Sequence, residues 1–237
     1  MMNSLLISGT DTEAGKTVLT TALIAYWKKY CSSQNLGVMK PLQSGVGDRE
    51  LYSQLFALEQ SPEEITPLYF EAPLAPPIAA EQEGRRVEIE KIWAAFCNLQ
   101  QQRDFILIEA VGGLGSPITH ELIVADLARD WRLPTVLVVP IRLGAIAQAV
   151  SNVALARRMG VNLRGIILNC VQPCNQQEIE NWSPTYLIES LTQIPVLGII
   201  PYLENPHDLH QLAQVATNLD LEQLLPRLAL KASVALS

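Results

Sequence analysis

The chain has little of what nucleic-acid, membrane and metal surfaces require. Its 237 residues include four cysteines, three histidines and only 17% charged residues, and 24 Asp and Glu outnumber 17 Lys and Arg for a formal net charge of −7. An acidic balance without basic clusters excludes a general affinity for nucleic acid, whose phosphates are bound by gathered Lys and Arg. No uninterrupted apolar run approaches the roughly 20 residues needed to cross a bilayer, and no basic leader precedes the first strand-like segment. The expected setting is the cytoplasm, with neither nucleic acid nor membrane as partner. Thiols stay reduced there, and Cys31, Cys97, Cys170 and Cys174 lack the common zinc or redox spacing, so they read as buried or incidental. His120, His207 and His210 show no metal-site pattern; an exposed helical face accounts for the last two.

What the chain does have is core-forming material: 49% of its residues are hydrophobic. That amount and this length suit one domain over residues 1–237 better than two. Short apolar runs recur at 5–7, 37–39, 105–108, 136–139, 166–168 and 196–200. Without polar alternation, such runs are the strands of a parallel sheet covered on both faces. Helical spacing separates them: Lys16 to about Tyr30, a stretch with Leu51, Leu55 and Leu58 on one face, about Val87 to Gln102, and Ala145 to Met159 ending at Gly160. The fold class is α/β, three layers with a mainly parallel sheet flanked by helices. Pro67, Pro73, Pro76 and Pro77 predict a long ordered loop over Thr66 to Gly84. Pro173 and Pro184 mark a second irregular region, and a terminal helix is expected over Leu219 to Leu230, bounded or broken by Pro226.

The most informative segment is Gly9-Thr10-Asp11-Thr12-Glu13-Ala14-Gly15-Lys16-Thr17, between the first strand and the first helix. In such a loop the backbone N–H groups surround phosphates, the lysine reaches the terminal phosphates, and the last hydroxyl ligates magnesium. The usual pattern has glycine at the position of Thr10; here the glycine is one residue earlier, at Gly9.

A parallel sheet binds ligands along the edge where its strands end, so strand-terminal residues carry the next signals. Lys40 precedes Pro41, which keeps it extended at a strand end; it faces the phosphates or lies on the surface. Asp48 either caps the following helix or ligates magnesium. Glu109 terminates four apolar residues and is placed to hold magnesium with Thr17. Gly112, Gly113 and Gly115 permit close backbone approach to a ligand or form a plain turn. Asn169 and Pro201 end later strands, where they contact a purine base or simply form turns.

This set of motifs resembles the dethiobiotin synthetase family. The carriers are the Gly9 to Thr17 loop, Lys40-Pro41 with Ser44-Gly45, Glu109 with Gly112-Gly113, Leu143-Gly144, Asn169, and Gly198-Ile199-Ile200-Pro201-Tyr202-Leu203. The resemblance implies a P-loop NTPase-like fold and ATP-dependent carboxylation and ring closure of 7,8-diaminopelargonic acid with CO2, giving dethiobiotin, ADP and phosphate. It implies Mg2+ held by Thr17, Asp48 and Glu109, with Lys40 and Lys16 catalytic and Ser44 and Thr12 on the substrate. Nucleotide contacts fall on Glu13, Ala14, Gly15, Lys16, Thr17 and Val18, on Asp48, Glu109, Ala110, Val111 and Gly112, and on Asn169, Cys170, Pro201, Tyr202 and Leu203. It also implies a homodimer, with the helix beginning near Gly144 receiving the substrate carboxylate.

Ala110-Val111 stands where the family has Gly-Ala, Ala147 and Gln148 where Asn and His are frequent, and Cys170 where an acidic residue is frequent. Two other nucleotide enzymes or switches are open on this fold. A partitioning-type ATPase carries a signature lysine where this chain has Asp11. A cobyrinic-acid-synthase-like amidation domain is normally joined to a glutaminase domain, for which no nucleophile site is evident.

Overall fold

The computed structural model describes residues 3–31 and 34–225. Among the described residues, eight strands and eleven helices follow one another: β1 (Ser4–Gly9), α1 (Lys16–Tyr30), β2 (Leu36–Met39), β3 (Leu42–Ser44), α2 (Asp48–Leu55), α3 (Pro62–Ile65), β4 (Leu68–Phe70), α4 (Pro76–Gln82), α5 (Ile89–Gln102), β5 (Phe105–Gly113), α6 (Val124–Asp130), β6 (Thr135–Pro140), α7 (Ala145–Met159), β7 (Leu163–Asn169), α8 (Gln176–Trp182), α9 (Thr185–Thr192), β8 (Val196–Ile200), α10 (Leu209–Thr217) and α11 (Leu221–Leu224). Six strands form one sheet in the order β2-β5-β1-β6-β7-β8, every pair parallel.

Successive strand side chains enter opposite cores, which is why the strands are apolar without alternation. Leu5, Ile7, Leu107, Val136 and Val138 join the cluster beneath α1 and α10. Leu6, Ile106, Ile108, Leu137 and Val139 join the other, with α5, α6 and α7. Each such side chain, fully buried, contributes about 1.5–3 kcal/mol. The sheet's order reverses at β1: the chain leaves leftward for β2 and returns past β5 to β6 on the right. The crevice at that reversal is where the loop after β1 stands.

Two close approaches fix glycines there. A Cβ on Gly113 would lie 2.8 Å from the Gly9 carbonyl oxygen, so β5 reaches the start of the phosphate loop only without a side chain. Gly15, at φ 92°, occupies the left-handed region, and a Cβ on it would lie 1.9 Å from Asn169 Nδ2.

Several expectations need correction. The proline-rich stretch from Thr66 to Gly84 is not a loop: it holds β4, which pairs with β3 in a second, two-stranded parallel sheet, and α4. Pro76 and Pro77 open that helix, where a missing N–H is no loss. The region of Pro173 and Pro184 contains α8 and α9, with Pro184 capping the latter. Helix α2 stops at Leu55 and buries Tyr52, not a leucine face. The first residue of α2 is Asp48 and its cap is Gly47, so Asp48 does not cap the helix. Glu109 lies in mid-strand, because β5 continues through Ala110 and Val111 to Gly113. At the C-terminal end α11 is confirmed, whereas Pro226 to Leu230 lie outside the described residues.

Candidate active site

The phosphate loop closes on itself through Lys16. Its Nζ donates to the carbonyls of Asp11 at 2.9 Å and Thr12 at 3.0 Å. Burial pulls this ammonium below its ordinary 10.5; Glu109 opposes the shift and Lys40 adds to it. The loop is also tied to the β6–α7 turn, where Arg142 pairs with Asp11.

Beside it, the ends of α1, β2 and α2 and the middle of β5 bring four side chains together. Lys40 Nζ lies 2.9 Å from Glu109 Oε1 and 2.5 Å from Asp48 Oδ2, and donates to the Ala110 carbonyl at 3.2 Å. Burial works against the Lys40 ammonium, but Glu109 and Asp48 override it and hold its pKa above 10.5. For Asp48 the sign is reversed: burial raises it, while Lys40 outweighs burial and holds it below 3.8. Thr17 Oγ1 stands 2.9 Å from Asp48 Oδ1 and 3.1 Å from Glu109 Oε1. A hydroxyl has one hydrogen, so it satisfies one carboxylate and presents lone pairs beside the other. Three oxygens converging in this way form the donor set of a hard divalent cation. Among the described residues no group of three or more His, Cys, Asp or Glu gathers. Oxygen donors of this kind suit hard cations, which complete their shells with water and phosphate.

Two residues absent from the sequence reading complete Glu109. Thr20 Oγ1 lies 2.9 Å from Glu109 Oε2, and the Tyr52 hydroxyl donates to the same oxygen. Both oxygens of this buried carboxylate are thereby engaged, and its side chain cannot swing away. Burial, then the Glu109 charge, push the Tyr52 phenol far above its ordinary value.

On the far side of the loop, Glu13, Gly15 and Val18 face Asn169, Cys170 and the turn from Pro201 to Leu203 across a cavity of about 350 Å³. Val171, Glu204 and Pro206 also line it and were not anticipated. Asn169 Nδ2 donates to the Ala14 carbonyl at 3.0 Å, so the cavity wall and the phosphate loop are held together by one amide.

A family model described as an AAA domain matches residues 3–208. An ATP-dependent dethiobiotin synthetase BioD from Gloeothece citriformis is 57% identical over 225 residues, covering 95% of this chain and 100% of the relative. The chain belongs to the dethiobiotin synthetase family. The synthetase of Synechocystis sp. is 48% identical, covering 93% of this chain and 94% of its own, and that of Bacillus subtilis is 32% identical, covering 94% and 98%. Solved structures share the fold alone. A ParA family ATPase from Chlorobium tepidum superposes with a TM-score of 0.56 at 14% identity, covering 95% of this chain and 92% of its own. The septum site-determining protein MinD from Pyrococcus horikoshii, solved with Mg-ADP, gives 0.54 at 15% identity, covering 94% and 89%.

Against other synthetases of this family, the departures sort by place. The Ala110 methyl is buried in the core, in an apolar pocket with Pro41 and Leu42; what this residue offers the site is its carbonyl, bonded to Lys40. Val111 is half-buried and Gly112 buried behind the loop. Gln148 Oε1 lies 3.4 Å from Thr10 Oγ1, so it touches the phosphate loop. Ser44, at the end of β3, keeps a buried Oγ without a partner among the described residues, and Thr12 is exposed at the loop's outer face. Cys170 Sγ lies 2.7 Å from Cys174 Sγ, and both thiols are free.

Proposed function

We propose that the chain is an ATP-dependent dethiobiotin synthase acting on 7,8-diaminopelargonic acid and CO2 as a single-domain cytoplasmic enzyme. The observation that carries this reading is the placement of Lys40, buried at a strand end between Asp48 and Glu109 and one hydroxyl away from the phosphate loop. The names of its relatives support the substrate, and the absence of any membrane-crossing helix among the described residues is consistent with the setting.

Thr17, Asp48 and Glu109 would hold Mg2+, which neutralises phosphate charge when bound. Residues Glu13 to Val18 would cradle the phosphates, and Asn169, Cys170 and the Pro201 to Leu203 turn would receive adenine. Ser44 and Thr12 would meet the diamine. One amine captures CO2 as a carbamate, the carbamate oxygen attacks the terminal phosphate, and ADP leaves. The second amine then attacks the activated carbonyl, closes the ring and expels phosphate. Phosphoryl transfer needs positioning and charge neutralisation, not a side-chain nucleophile. Lys16 and Lys40 supply fixed positive charge on either side of the group in transit, and Lys40 also meets the carbamate.

The α7 N-terminus would take the substrate carboxylate in a homodimer. It is a 15-residue helix, and Leu143 beside it is 87% exposed, a large apolar side chain suited to a second copy. A partitioning-type reading is disfavoured because Asp11, paired with Arg142, occupies the place of the lysine that mechanism requires. The test is direct. Protein incubated with ATP, magnesium, bicarbonate and diaminopelargonic acid should yield dethiobiotin and phosphate in equal amounts. Phosphate release indifferent to the diamine would reject the proposal.

A further inference from the structure

Cys170 is the first residue after β7, and Cys174 returns to it after Val171, Gln172 and Pro173. Their sulfurs are 2.7 Å apart, against about 2.05 Å in a disulfide, so bond formation requires a displacement well under 1 Å. Both thiols are free. Cys170 is buried and Cys174 half-buried, so the pair has one sulfur open to a reagent and one behind it.

The surroundings connect this pair to the cavity. Cys170 itself lines the wall, and its N–H donates to the Ile200 carbonyl at 2.9 Å. The preceding residue, Asn169, holds the Ala14 carbonyl of the phosphate loop. A disulfide at Cys170 therefore alters the cavity wall directly beside the Asn169 amide that joins its two halves.

We infer that Cys170 and Cys174 form a reversible intramolecular disulfide that weakens nucleotide binding, a thiol modification site built into the base pocket. The inference rests on the reading of that cavity as the adenine site. The oxidant is a small-molecule disulfide of the glutathione class. The Cys174 thiolate attacks one of its sulfurs, forming a mixed disulfide and releasing one thiolate. The Cys170 thiol, losing its proton to solvent as it attacks, then displaces the second, which leaves as a thiolate. Two protein thiols are oxidised to one disulfide and one glutathione disulfide is reduced to two thiols; a dithiol reductant reverses the exchange. Burial, then the neighbouring Cys174, push the Cys170 thiol up to about 12, so Cys174 is the sulfur that meets the oxidant first.

The full chain is incubated with oxidised glutathione, alkylated and mapped by mass spectrometry, and ADP affinity is measured calorimetrically with magnesium before and after. The expected result is a Cys170–Cys174 crosslink with Cys31 and Cys97 still alkylated, a threefold or greater loss of ADP affinity, and full recovery with dithiothreitol. Cys174→Ser should bind ADP like the reduced chain and ignore the oxidant. A product that stops at glutathionylated Cys174 overturns the inference, as does a crosslink that leaves affinity unchanged. Failure of the reduced chain to bind ADP rejects the adenine-site reading and the switch with it, whereas binding indifferent to the crosslink rejects only the switch.

Discussion

The Tyr52 hydroxyl donates to Glu109 Oε2 at the middle of β5, with both residues shut away from solvent. The phenol fixes one oxygen of the carboxylate, so the other stays turned toward Lys40 and Thr17. Tyr52→Phe keeps the ring and removes the donor. It should cost about 1–3 kcal/mol, the penalty for an under-satisfied buried acceptor. Urea unfolding with an unchanged m-value measures this; equal stability of the two proteins would show that the hydroxyl is idle.

Lys40→Met leaves two acidic side chains at the site without their ammonium. Breaking a buried pair costs about 3–5 kcal/mol, so the variant should melt at lower temperature, with magnesium and ADP restoring part of the loss. Turnover should fall about 10²-fold or more, the effect of removing one charge-stabilising donor, while ADP affinity changes little. Wild-type turnover in this variant would remove Lys40 from the mechanism.

Gly15→Ala forces a side chain into left-handed backbone and against the Asn169 amide. With strain of about 1–3 kcal/mol, ADP affinity should drop roughly tenfold or more. The same titration done on Gly84→Ala separates strain from crowding, since Gly84 also has positive φ but nothing within 4 Å of an added Cβ.

The Lys40 and Asp48 shifts set a stability window. Asp48 is held below 3.8 in the folded chain, so its contribution is present above the ordinary carboxylate range and is lost as pH falls through its depressed value. Lys40 is held above 10.5, so its contribution is full below that value and is lost as pH rises through its raised one. Between these limbs the contributions of Lys40 and Asp48 are constant, and the lowered Lys16 and raised Cys170 add their own slopes on the alkaline side. In Asp48→Asn the acid limb should become shallower; an identical acid limb would assign that loss to other carboxylates.

Helix α1 from Lys16 to Tyr30, helix α7 from Ala145 to its glycine stop and strand β8 were legible in the sequence because local patterns specify them: a phosphate loop before one, Gly160 after another, an unbroken apolar run in the third. The course of β5 beyond Glu109 was hidden by Gly112 and Gly113, which read as a close approach to a ligand or a turn. Their place in the sheet comes from pairing with β1, a long-range constraint. Residues 66–84 were misread because proline is neutral in the first turn of a helix, and four prolines outweighed the alanines that follow. At the site, Lys16, Lys40, Asp48 and Glu109 stood out as charges at strand and helix ends. Thr20 and Tyr52 did not, since they meet Glu109 across 89 and 57 residues of chain. A faint signal existed: Tyr52 lies four residues after Asp48, and Thr20 four after Lys16, so each shares a helical face with a residue already suspected.

The bonds from Lys16 to the Asp11 and Thr12 carbonyls also say which way the loop is presented. In a planar trans peptide the N–H points opposite to the C=O. The amides of Thr12 and Glu13 are thus directed away from the ammonium by the lysine's own grip, like fingers spread by the thumb. On the proposed function, an anion docking at that rim would meet donors whose aim is already set, with little torsional freedom left to surrender. Shortening the lever, as in Lys16→Ala, would then slacken the whole rim along with deleting one charge.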